Sequence, residues 1–319
     1  MLEGMNDEAP DATVLQEIES QAVELVRRAG QMALDRFWRP LQVEYKQENR
    51  ADPVTEVDRG VEAFLRSSIS RQFPAHAILG EEGTEVEVAG REFLWVLDPV
   101  DGTTNFVNGL PLFACSAALL HRGEPVVGAI FLPVAPRTAR PMTAPGAESQ
   151  TSTLQLRSAV LHARLGGGAS LDGDPVQASE AAAPEASSLA GLPGHHAHQF
   201  HRLERLRQNP GELRCLGSVC FETAMVATGV FRYAVFRRPK LWDVAAGTLL
   251  VREAGGLAMS WTGSRWEPLT RFDPMSNPKK PEEAGLRFWE AVTLAGGRQV
   301  ASFVAERLRP ATAKRKPKA

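Results

Sequence analysis

Between Val14 and Phe37 the apolar residues Val14, Ile18, Ala22, Leu25, Val26, Ala29, Met32, Ala33 and Phe37 recur at three- and four-residue intervals, the period of one helix face. Pro40 closes that helix. A second helix is expected through Val61, Phe64, Leu65 and Ile69. Thr55 with Asp58 three residues on forms a variant capping box at its start, and Pro74 ends it. A short apolar run at Ile78–Leu79 and the five residues Phe93-Leu94-Trp95-Val96-Leu97 read as buried strands, the latter stopped by Asp98-Pro99. Two more strands are predicted at Phe113–Leu120 and Pro125–Leu132, around the turn Arg122-Gly123-Glu124.

From Pro133 to about Phe200 the chain is rich in Ala, Gly, Ser and Pro and loses its period, so loops and a hairpin are expected, with Leu154–Leu165 forming a strand or a helical turn. Regularity returns as a helix at Val219–Thr228, a strand at Val230–Phe236, a helix at Asp243–Ala254, a strand near Gly256–Trp261 and a last helix at Arg298–Leu308. Alternating helices and strands with a weakly patterned centre predict layered α/β structure. At 319 residues the chain exceeds the usual single domain. We divide it into an N-terminal α+β part (13–185), a C-terminal α/β part (186–309) and a disordered basic tail (310–319).

Composition narrows the partners. Hydrophobic residues make up 43% and charged residues 23%, with a formal net charge of −2. That is globular, and it gives no electrostatic case for binding nucleic acid. The one dense basic run, Lys314, Arg315, Lys316 and Lys318, sits in the tail. Cys115, Cys215 and Cys220 match no common metal spacing and suit a reducing compartment. Met1–Thr13 is acidic and lacks a secretory pattern, and no stretch is long and apolar enough for a membrane span. A cytoplasmic protein with no membrane association is expected.

The most informative segment runs from Trp95 through Asp98-Pro99-Val100-Asp101-Gly102-Thr103-Thr104-Asn105-Phe106. Two carboxylates follow a strand at once, where open α/β sheets place their ligands. Gly102 permits a tight turn, and a helix opening at Thr103 and Thr104 would offer N–H groups to an anion. Oxygen ligands for a hard cation therefore adjoin donors for a phosphate, a pairing that suits Mg²⁺. Plain turn chemistry is the competing use, because Asp-Pro and Asp-Gly are common in turns and acids after strands cap helices. Glu81 after Gly80, Asp58, and Asp243 in Leu241-Trp242-Asp243-Val244-Ala245-Ala246-Gly247 are further candidate acids. Exposed turn, capping box and helix cap are their structural alternatives.

Three segments, Gly80-Glu81-Glu82-Gly83, Asp98 to Phe106 and Trp242-Asp243-Val244-Ala245-Ala246-Gly247, together resemble the motifs of the inositol monophosphatase family, within the lithium-sensitive, magnesium-dependent sugar phosphatases. The resemblance spans roughly Val14 to Leu308. It implies an αβαβα five-layer sandwich, Mg²⁺ dependence, a homodimer, and hydrolysis of a small phosphate monoester by a metal-activated water. It also implies that Glu81, Asp98, Asp101, Asp243 and the carbonyl of Val100 ligate metal. By the same resemblance Thr103 activates water with Glu81, supported by Asp58, and Asp101, Gly102, Thr103, Gly217 and Ser218 contact substrate.

Phe236 departs from the pattern, since inositol-preferring members carry a glutamate seven residues before the last metal aspartate. Arg237, Arg238 and Lys240 follow it, either as a solvated turn or as a site for a second phosphate. The centre also departs: Arg137–Leu165 looks expanded, Gly166-Gly167-Gly168 reads as a turn, and His195, His196, His198 and His201 read as part of a loop. Two competing functions stand beside the hydrolase. One is an aspartyl-phosphate phosphatase of the haloacid dehalogenase type, disfavoured because its acids lie two apart rather than three. The other is a catalytically silent scaffold or regulator, disfavoured because repelling acids without a cation cost stability.

Overall fold

A computed structural model describes residues 10–46, 53–83, 91–136, 157–194, 199–202 and 204–311. The first helix, α1 (Ala12–Phe37), is capped by Asp11, which accepts from the N–H of Thr13 at 2.7 Å. Its stripe of Leu15, Ile18, Ala22, Leu25, Val26, Ala29, Ala33 and Phe37 is buried, while Val14 stays half exposed and Met32 borders on solvent. A short antiparallel pair, β1 (Val43–Tyr45) and β2 (Pro53–Thr55), leads into α2 (Glu56–Gln72). The capping box read from Thr55 and Asp58 is present: the Thr55 N–H donates to Asp58 at 2.9 Å and Thr55 Oγ1 accepts from the Asp58 N–H at 3.4 Å.

The first large sheet has seven strands in sequence order: β3 (Ala77–Gly80), β4 (Phe93–Asp101), β5 (Ala114–His121), β6 (Glu124–Leu132), β7 (Ala159–Arg164), β8 (Ala169–Leu171) and β9 (Asp174–Pro175). Only β3 and β4 run parallel. Arg122 and Gly123 both have positive φ, 50° and 89°, which makes the predicted β5–β6 turn a two-residue loop matched to strand twist. The central strands are buried on both faces, hence their unbroken apolar runs. A five-residue helix, α3 (Thr103–Val107), follows β4 directly.

The second sheet has six strands in the order β12-β10-β13-β18-β14-β15. These are β10 (Leu189–Gly191), β12 (Glu212–Arg214), β13 (Phe231–Phe236), β14 (Gly256–Trp261), β15 (Trp266–Pro268) and β18 (Thr293–Gly297). Two small antiparallel pairs lie outside it, β11 (Phe200–Arg202) with β19 (Leu308–Pro310) and β16 (Met275–Ser276) with β17 (Ala284–Gly285). The remaining helices are α4 (Glu204–Gln208), α5 (Val219–Ala227), α6 (Leu241–Glu253) and α7 (Arg298–Arg307). Both α5 and α6 are apolar on nearly every side and almost wholly buried, as helices sandwiched between two sheets must be. With α1 and α2 outside the first sheet and α7 outside the second, the layers alternate as an αβαβα sandwich.

The structure corrects or extends three expectations. The strand expected to stop at Leu97 continues to Asp101. The centre supplies β7 and β8 to the first sheet, so Leu154–Leu165 resolves as a strand from Ala159, while 137–156 falls outside the described residues. Of the histidine run, His195, His196 and His198 also fall outside them, and His201 is exposed on β11.

Candidate active site

The continuation of β4 depends on an irregularity. Asp98 pairs with Ser116 and Asp101 with Ala114, so three steps on β4 match two on β5. That is a β-bulge around Pro99–Val100, where proline's missing N–H takes nothing from the ladder. In a regular strand, residues three apart face opposite sides of the sheet. The bulge cancels that alternation and brings Asp98 and Asp101 to the same place. Asp243, the third residue of α6, joins them, and one oxygen from each carboxylate lies within 4.8 Å of the others.

The three acids differ in their bonding. Asp101 accepts from Ser218 Oγ at 2.5 Å and from the Cys220 N–H at 2.6 Å. Asp243 accepts from the Lys240 N–H at 2.7 Å, so it serves the helix start from its third residue, and Lys240 holds the N-cap position expected of Asp243. Asp98 is 1% exposed and its Oδ1 has no hydrogen-bond partner among the described residues. Burial, then the charges of Glu81, Asp101 and Asp243, holds the Asp98 carboxyl well above the usual range. Burial, then Asp101, does the same to Asp243. Asp101 is raised by burial, with the bonds from Ser218 and Cys220 opposing. A partnerless buried carboxylate oxygen in an oxygen-only cluster that resists full ionisation fits a hard divalent cation.

Glu81 lies just beyond β3, its N–H donating to Leu97 O at 3.2 Å. It stands outside the 4.8 Å triad and pairs instead with Lys46 Nζ at 2.9 Å, which also binds Glu82 at 2.7 Å. Burial pushes Glu81 up to about 7 against the pull of Lys46. Thr103 Oγ1 reaches Asp58 at 3.2 Å and the Val100 carbonyl at 3.0 Å. Asp58, fully buried and raised by that burial, therefore both caps α2 and faces Thr103. Asp58 thus completes the capping box and accepts from Thr103 at the same time.

Gly102 takes φ +91°, and a Cβ there would stand 3.0 Å from Ser218 Cβ and 3.2 Å from Leu112 O, so only glycine fits without displacement. Asn105 ties α3 to the opposite wall, donating to Leu112 O at 2.7 Å and Leu216 O at 2.6 Å. Gly217 and Ser218 line a cavity of about 300 Å³ together with Cys215, Phe236 and Arg237. The candidate residues thus come from the β4 bulge, the end of β3 and the starts of α2, α3, α5 and α6.

Three neighbours carried no sequence signal. Besides Lys46, Arg287 donates to the carbonyls of Gly80 at 3.0 Å and Glu81 at 3.2 Å, its guanidinium 5.6 Å from the Trp242 ring centre. It thereby joins the segments bearing Glu81 and Asp243. Glu222, buried in α5, accepts from the N–H of Leu216 at 2.7 Å and Gly217 at 3.3 Å, and burial lifts it to about 7.

The model of the inositol monophosphatase family matches residues 14–289. Nus factor SuhB of Escherichia coli K12 is 33% identical over 265 residues, covering 81% of this chain and 90% of that protein. Fructose-1,6-bisphosphatase/inositol-1-monophosphatase of Thermotoga maritima is 30% identical over 278 residues, covering 87% of this chain and 98% of that one. Among solved structures, the extragenic suppressor protein suhB of Bartonella henselae superposes with a TM-score of 0.68 at 24% identity, over 91% of this chain and 97% of that one, a likeness of fold.

Proposed function

Because the chain belongs to the inositol monophosphatase family, we propose that it is a Mg²⁺-dependent hydrolase of a small phosphate monoester. The observation that carries this reading is the buried triad of Asp98, Asp101 and Asp243 with its partnerless oxygen, beside the Asp58–Thr103 pair. Asp98, Asp101, Asp243, Glu81 and the Val100 carbonyl would hold the metal. Bound there, it would polarise the phosphate and acidify water.

Thr103 has one proton and two acceptors within reach, Asp58 and the Val100 carbonyl. If the Val100 carbonyl were taken up as a metal ligand, the Thr103 hydroxyl would donate to Asp58 alone, and its oxygen would be left to accept from and orient the attacking water. Glu81, released from Lys46, takes the second position against that water and receives its proton. The backbone of Gly102 and Thr103, with Asp101, holds the phosphate, and Gly217 and Ser218 face the leaving group. The positioned groups lower the barrier by fixing geometry more than by supplying new reactivity. Among the described residues no helix is long and apolar enough to cross a membrane, and the reading is completed as a cytoplasmic homodimer without nucleic acid.

A second reading follows from relatives named as a factor rather than as an enzyme: a protein acting through surface contacts on the same fold. Phosphate release from a panel of monoesters, with Mg²⁺ and with EDTA, separates the two. Release that EDTA abolishes supports the hydrolase; a folded protein that releases none supports the factor.

A further inference from the structure

Arg237, Arg238 and Pro239 line the cavity beside Ser218 and Lys240 follows them, but the charges of this segment are not equivalent. Arg238 and Lys240 both pair with Glu290, Lys240 Nζ at 2.9 Å. Glu222, the one acid among the residues lining that cavity, is buried and turned to the N–H groups of Leu216 and Gly217. Arg237 is exposed, lines the cavity, and has no carboxylate within ion-pair distance among the described residues. Besides Arg238, Cys215, Gly217 and Ser218, the remaining walls are carbon: Phe236, Val219, Val235, Pro193 and Pro239. A polyol laid against them would lose water from its hydroxyls without gaining partners, and would leave the cation unanswered. A ligand with an apolar face and a negative group meets both features.

We propose that this cavity takes the leaving-group half of the substrate and selects one bearing a second anionic group, phosphate or carboxylate, which Arg237 binds while an apolar face rests on Phe236. The inference uses the hydrolase reading only to place the scissile phosphate at Gly102–Thr103. Charge-assisted contacts of this kind favour the guanidinium's paired N–H donors over a point charge.

The test compares kcat/KM for fructose 1,6-bisphosphate against fructose 1-phosphate, and for 3-phosphoglycerate against glycerol 3-phosphate. The first pair reads a second phosphate and the second a carboxylate. Wild type should favour the doubly anionic member of at least one pair, and Arg237→Gln should cut that ratio about tenfold, equivalent to about 1.4 kcal/mol. Arg238→Gln, already answered by Glu290, should cut it less. Equal preference in wild type, or an equal loss on both members in Arg237→Gln, overturns the inference. The same ratios are read from dissociation constants by calorimetry in EDTA, where no turnover is needed. Arg237-dependent preference in binding without phosphate release keeps this inference and removes the hydrolase reading; release without that preference does the reverse.

Discussion

Asp98→Asn should make the metal-free protein more stable and the metal-supplemented protein inactive. The three carboxylates approach within 4.8 Å. At that distance, with an effective dielectric of about 20, each fully charged pair repels by about 3.5 kcal/mol. The raised carboxyls show that the cluster sheds part of this cost by holding protons. Removing one charge should therefore recover only about 1–3 kcal/mol. At about 2–4 °C per kcal/mol for large domains, the melting temperature in EDTA should rise by about 2–12 °C. The amide is nearly isosteric, so packing is retained, and Oδ1 has no partner among the described residues to lose.

Mg²⁺ at a hundred times its dissociation constant should add about 2.7 kcal/mol to wild type, and much less to the variant, whose ligand is weakened. The order of the two melting curves in EDTA should thus narrow or invert when Mg²⁺ is added. Scanning calorimetry with and without metal, beside a phosphate-release assay, reads both effects. A variant that melts lower in EDTA, gains as much from Mg²⁺ as wild type and keeps wild-type kcat would show that Asp98 neither suffers the repulsion nor holds the ion.

Glu222→Gln tests a second buried carboxyl. Its folded value of about 7 lies above the ordinary 4.5, so its contribution is favourable below about 4.5 and is lost as pH rises through 7, amounting to about 3 kcal/mol by linkage. The amide keeps an acceptor for Leu216 and Gly217 without the charge; its urea midpoint should match wild type near pH 5 and exceed it at pH 8, and a pH-independent difference would contradict this. Arg287→Ala should raise the Mg²⁺ concentration for half-saturation about tenfold, as losses of orienting groups around metal ligands do. Trp242 emission during a Mg²⁺ titration reads this without turnover, and an unchanged midpoint in a folded variant would remove the residue's positioning role. Phe106, fully buried and packed 5.4 Å from Phe37 and 4.9 Å from Phe113, anchors α3. Truncation to Ala should cost about 3–5 kcal/mol by denaturant titration, and a cost under about 1 kcal/mol would mean that α3 is held chiefly by Asn105.

Features whose cause is local could be read from the chain. The α1 stripe, the Thr55–Asp58 box and the Arg122–Gly123 turn each depend on residues within a few positions, and each formed as expected save that Val14 and Met32 of the stripe face solvent. Asp98-Pro99 reads as a stop because proline breaks a regular ladder, a sound rule that the bulge evades by leaving that position unpaired. The three-residue strands β11 and β19 are too short to carry an alternation, and their pairing joins segments far apart in sequence that the rest of the fold brings together. Lys46 and Arg287 act at the ends of long side chains across elements far apart in sequence, where no period or motif speaks. The run Arg237 to Lys240 looked uniform for the same reason, and it took Glu290, distant in sequence, to set Arg237 apart.

The acids owe their closeness to packing that is paid for elsewhere. Asp243 rides on α6, whose residues Leu241 and Val244–Val251 are buried between the two sheets. Asp98 and Asp101 ride on a strand locked between β3 and β5. Neither support can retreat from the other without exposing apolar surface at about 25 cal/mol per Å², so the carboxylates stay together despite their repulsion. Cys220 links the supports directly, its N–H bound to Asp101 and its Sγ 3.2 Å from the Asp243 carbonyl. A cluster that cannot relax by moving can relax only by taking up protons or a cation. At neutral pH, with carboxyls raised by burial, those two options compete, so metal binding should release protons and tighten as pH rises.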